Sequence, residues 1–171
     1  MDMVNEMIAQ MSSYWSTPKV AIHRGAEIPF KLRCSFFDGV EEYRLSGITA
    51  NLPLEAKEFY LATDGATLFK DDKYGQWGLK IYCLDEIADA TNRYQSERIS
   101  DALEGDLIIG EFVGDSDYLL LRCNLKSADF GSVVIVSAID SRIDWDVVAA
   151  DLGIFLRKFN SFQGDKYWEI T

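Results

Sequence analysis

Basic residues are scarce in this chain. Its 171 residues hold 17 Lys and Arg against 28 Asp and Glu, a formal charge of −11. Nucleic-acid backbones are gripped mainly through Lys and Arg, so no direct nucleic-acid binding is expected. Anionic membrane surfaces are disfavoured for the same reason. Histidine is nearly absent: His23 stands alone. A metal site needs several ligands, and a hydrolytic triad needs a placed base and nucleophile. The three cysteines, Cys34, Cys83 and Cys123, form no C-x-x-C pair, which removes a zinc knot or redox motif. Free thiols suit a reducing cytosol, and Cys34 and Cys123 sit in apolar runs as small hydrophobes would. No apolar run approaches the ~20 residues of a membrane span. The opening Met1-Asp2-Met3-Val4-Asn5-Glu6 carries acid where a signal peptide carries base, so the expected location is the cytoplasm. No G-x-S-x-G, Walker A loop, G-x-G-x-x-G or H-E-x-x-H occurs, and Asp129-Phe130-Gly131 reads as a turn. No catalytic residue, metal site or cofactor is expected.

What is present is an apolar share of 48%, rich in aromatics at 13%, in a length that suits one domain able to bury a core without staples. Val4, Met7, Ile8, Met11 and Trp15 mark one face of a first helix. Phe30 to Cys34 alternates as a strand. Pro53 suits a first helical turn, and Leu52, Ala56, Phe59 and Ala62 follow on one stripe, with Gly65 as the stop. Trp77 to Cys83 reads as a strand, and Asp85 as the cap of a helix from Glu86 to about Tyr94. Leu107–Val113, Tyr118–Cys123 and Ser132–Ser137 are strands in quick succession, the first two joined at Gly114-Asp115-Ser116-Asp117. Leu152, Phe155, Leu156 and Phe159 define a last helix. Closely spaced strands without intervening helices predict an α+β fold, with a largely antiparallel sheet of about five or six strands packed with helices.

Acidic residues cluster. From Ile99 to Leu121 stand Asp101, Glu104, Asp106, Glu111, Asp115 and Asp117 with no Lys or Arg, and a second group follows at Asp140, Asp144, Asp146 and Asp151. A calcium loop counted from Asp140 would need glycine at its sixth position and glutamate at its twelfth; Trp145 and Asp151 stand there instead. If the two groups adjoin, they form one negative face suited to a basic partner, with Tyr118 and Trp145 as aromatic anchors. The alternative is a solvated acidic surface with both rings in the core.

Three pieces resemble the SUKH superfamily in order. Leu52-Pro53 through Phe59 to Asp64-Gly65 is similar to its LP-x-x-[YF] helix. Leu107-Ile108-Ile109-Gly110 with Gly114-Asp115 is similar to its glycine-punctuated hairpin. Val147 to Leu156, including Phe155, is similar to its closing helix, with Asp151 where serine is usual and Leu152 where phenylalanine is usual. The resemblance covers about residues 48 to 160 and leaves 1–47 outside it. It implies a non-enzymatic domain that binds another protein, as bacterial immunity proteins of polymorphic or contact-dependent toxin systems do. The implied partner is a cognate toxin domain, often a nuclease. The charge pattern, not the resemblance, makes that partner basic and points to Glu111, Asp115, Asp117, Tyr118, Asp140, Asp144, Trp145 and Asp146 as contact residues, on a protein expected to be a monomer or weak dimer. A regulatory or scaffold module of the same fold is the second reading, and a small metal-dependent hydrolase using the Asp clusters the third.

Overall fold

The Asp2 carboxylate starts the first element by accepting the Asn5 amide at 2.8 Å, which satisfies an N–H that a first helical turn leaves unpaired. Helix α1 follows over Met3–Tyr14 and buries Val4, Met7 and Met11. The structure, a computed structural model, describes residues 2–48 and 50–170. Strands β1 (Lys19–His23) and β2 (Ala26–Phe36) form a hairpin, and a 3₁₀ turn, Glu42–Gly47, leads to α2 (Leu54–Ala62). Pro53 precedes α2, and its carbonyl accepts the Ala56 and Lys57 amides at 3.1 Å. Leu52, Ala56 and Phe59 are buried as the stripe predicts and Tyr60 joins them, while Ala62 is half-buried and Thr63, not Gly65, ends the helix.

Next come β3 (Ala66–Asp71), β4 (Leu79–Ile81) and α3 (Leu84–Glu97). The cap of α3 is Cys83 rather than Asp85: the Cys83 amide donates to Glu86 at 3.2 Å, which closes the first turn two residues earlier. Then follow β5 (Asp106–Phe112), β6 (Tyr118–Arg122), β7 (Val133–Val136), β8 (Asp146–Ala149), α4 (Leu152–Ser161) and a 3₁₀ turn, Tyr167–Glu169. No helix among the described residues is long and apolar enough to cross a membrane.

The eight strands make one sheet in chain order, each antiparallel to the next. The fold class is the predicted α+β, with β1, β3 and β8 added to the expected strands. Strand β8 also corrects the closing motif. Val147, Val148 and Ala149 pair with β7 instead of opening the last helix, and Asp151 caps α4 by accepting the Ile154 amide at 2.8 Å. Aspartate and serine are interchangeable in that role, which accounts for Asp151 standing where serine is usual.

Gly65 has φ +86°, and a Cβ there would stand 2.8 Å from the Ile81 carbonyl oxygen. A side chain at that corner would drive β3 and β4 apart. Gly110 follows a β-bulge at Ile109 and lies just as close to β4, a Cβ meeting the Lys80 carbonyl oxygen at 2.6 Å. Gly114, at the tip of the β5–β6 hairpin, has φ +93°.

Strands β5 to β7 are buried along nearly their whole length, so both faces of the sheet are covered there. Asp106 meets Tyr94 of α3 on one face. Across the bulge, Phe112 points to the other face and packs on Trp168, which stacks on Phe159 of α4. Phe155, Leu156 and Phe159 of α4 are buried, and α4 packs on α1 and α2.

Candidate protein-binding face

Asp106 opens β5, and its side chain has no solvent exposure. A carboxylate in that position must be met by donors. Arg122 Nη1 reaches its Oδ1 at 2.7 Å from directly across the strand pair, and Arg142 Nη2 at 3.0 Å. Arg142 Nη1 at 2.6 Å, the Tyr94 hydroxyl at 2.7 Å and the Leu103 amide at 2.9 Å donate to Oδ2. Burial by itself pushes this carboxyl up. The hydrogen bonds from Arg142, Leu103 and Tyr94 outweigh it, so its pKa lies below the ordinary 3.8.

Arg142 and a further cation, Arg98, bind two loops together. Arg98, just past α3, pairs with Asp101 at 2.9 Å and donates to the carbonyls of Ser137 at 2.9 Å, Ala138 at 3.3 Å and Asp140. From the other side, the Arg142 amide donates to the Asp101 carboxylate at 3.1 Å, and its guanidinium to the Asp101 carbonyl at 2.9 Å. The Trp145 ring has the Arg98 guanidinium 5.2 Å and the Arg142 guanidinium 5.4 Å from its centre, and its indole N–H donates to the Asp140 carbonyl at 3.0 Å. The α3–β5 loop (98–105) and the β7–β8 loop (137–145) are thus one braced unit.

What that unit presents outward is aliphatic. Ile139 is 92% exposed, Ile143 90% and Ile99 80%, with Leu103 and Val147 also exposed. Around them Glu104, Asp140, Asp144 and Asp146 are exposed carboxylates. Both arginines of the region are turned inward.

The residues expected to form an acidic face are distributed unevenly. Asp140, Asp144 and Asp146 lie together on the β7–β8 loop and its exit. Asp117 touches the base of that loop, its Oδ1 accepting the Ala138 amide at 3.1 Å, and burial raises its pKa. Asp115 points elsewhere and pairs with Lys166, a buried cation set over the rings of Phe112 at 5.1 Å and Trp77 at 5.6 Å. Glu111 and Tyr118 face each other in register on β5 and β6, both half-buried. Trp145 departs from the expected surface anchor. At 7% exposure it is the internal filler between two guanidiniums. Sequence reasoning missed Ile99, Leu103, Ile139 and Ile143. Their signal was weak: bulky aliphatics standing singly among Ser, Asp and Arg, with neither strand nor core-helix period.

A cleft of about 420 Å³ lies beside α3, walled by Ile48, Asn51, Thr91, Asp106, Cys123 and Asn124 among others. Burial pushes the Cys123 thiol up to about 12, so at neutral pH it is protonated and weakly nucleophilic. The Asp106 carboxylate in the same wall is occupied by its donors. His23 bonds the Gln163 carbonyl at 2.8 Å and packs 5.6 Å from Trp77, a structural position. Among the described residues, no three His, Cys, Asp or Glu are placed to share a metal ion.

A family model described as the SMI1 / KNR4 family (SUKH-1) matches residues 46–158, from the 3₁₀ turn before α2 into α4. No curated protein matches the chain.

Proposed function

The chain belongs to the SMI1 / KNR4 (SUKH-1) family, and from that membership we propose that it is an immunity protein, which neutralises a cognate secreted toxin by stoichiometric binding and transforms no substrate itself. The family match across residues 46–158 carries this reading. The exposed carboxylates of Asp140, Asp144 and Asp146 support a basic partner such as a nuclease domain, whose own groove must carry Lys and Arg to hold nucleic acid. Burying opposite charges across such a contact adds selectivity and association rate more than net affinity. The protein acts as one domain in the cytoplasm of the cell that makes the toxin. The packing of α1 on α4 and the pairing of β2 with β3 support counting the segment before the family match as part of that domain.

Co-expression with the C-terminal domain of the secreted protein encoded next to it tests the reading. Rescue of growth is expected. Failure to rescue, with both proteins present and soluble, overturns it. The second reading, a regulatory module of the same fold, predicts several weak partners from cell lysate in place of one tight basic one.

A further inference from the structure

We infer that the ledge of Ile99, Leu103, Ile139 and Ile143 is the energetic centre of the partner interface, and that its occupant is a basic protein surface with an apolar depression. This rests on the immunity reading and names the part of the surface that would carry it.

Folding gives no reason for the ledge. Isolated exposed aliphatics are ordinary, but here isoleucines 92%, 90% and 80% exposed stand on two loops hydrogen-bonded to each other, a concentration of the kind that marks interaction sites. The loops beneath are also held more firmly than exposed turns require. Arg98 alone ties three carbonyls of the facing loop, and Arg142 anchors to the buried Asp106. A backbone fixed in advance loses little freedom on association, so more of the contact energy appears as affinity. The charge around the patch selects the partner. Asp140, Asp144 and Asp146 are exposed, while Arg98 and Arg142 are consumed internally, so the charge that these loops offer beside their isoleucines is negative. That arrangement repels phosphate backbones and anionic lipid, and it matches a protein face with Lys and Arg around a depression. A second copy of this chain would set one group of carboxylates against another.

The test uses the full-length protein and, as probe, an inactivated C-terminal domain of the neighbouring secreted protein. The double variant Ile139→Ser/Ile143→Ser is expected to bind about 30-fold or more weakly, through faster dissociation, with an unchanged melting temperature. Ile139→Val, which keeps the branched shape, stays within about threefold of wild type. Binding of the double variant within about twofold of wild type overturns the ledge and leaves the immunity reading standing. A wild type that does not bind the probe overturns both. A wild-type dimer that the double variant converts to monomer overturns the proposed occupant in favour of a second copy of the chain. Nearly full exposure of both positions separates a binding loss from a folding loss.

Discussion

The β5–β6 hairpin tip and the β7–β8 loop are both turns dense in aspartate, yet their carboxylates do different things. At the tip, Asp115 is taken up by Lys166, and Asp117 holds the Ala138 amide. In the β7–β8 unit, Asp101 and Asp106 take up the arginines and fix the backbone. Asp144 and Asp146 make no ion pair among the described residues and stay in solvent, next to isoleucines that face out. Charge in a sequence window is therefore not charge on a surface. Where the quenching cations go decides which carboxylates remain for a partner.

Removing the anchor breaks the comparison most severely. Asp106→Asn leaves Arg122 and Arg142 without their shared counter-ion and is expected to cost about 3–5 kcal/mol in urea unfolding, freeing the β7–β8 loop to hydrogen exchange. Acid does the same more gradually. The folded pKa of Asp106 lies below 3.8, so its contribution is fully present above that value and is lost as pH falls through the lower folded one. Wild-type stability should decline below about pH 4, and more steeply than that of Asp106→Asn. A smaller effect is expected at the tip. Lys166→Met removes one ion pair and two cation–π contacts but keeps much of the stem's packing, so a loss of about 1 kcal/mol follows. A loss as large as that at Asp106 would mean the tip is as deeply braced as the ledge. Least stability should be lost with Asp144→Asn/Asp146→Asn, within about 0.5 kcal/mol. This pair should instead slow association with a basic partner severalfold at low salt, an effect that added salt erases.

Much of the architecture was legible from local pattern. The stripe Leu52, Ala56, Phe59 reports a buried helix face because helix period and burial coincide. The last three predicted strands are apolar runs cut by glycine, and they pair as a meander because short connections permit nothing else. Strand β8 was hidden: Asp146-Val147-Val148-Ala149 spans too few residues to show a period, and it runs straight into the cap of α4. The candidate site was half legible. The acid-rich window from Ile99 to Leu121 contains no cation, but Arg98 and Arg122 flank it one residue out on each side, and the fold turns both inward. Asp140, Asp144 and Asp146 were visible as charge. The isoleucines beside them were not, because exposure is a property of the folded loop and leaves no mark in the spacing.

Strand order that equals chain order has a consequence for synthesis. Each β-strand finds its partner in the segment made just before it, so the sheet can lengthen stepwise as the polypeptide leaves the ribosome. The docking of α4 on α1 and of Trp168 on Phe112 must wait, since each joins segments far apart in sequence. A nascent chain stopped short of residue 152 would hold its ladder of strands with the surface that receives α4 still bare, an intermediate prone to sticking until that ten-residue helix arrives.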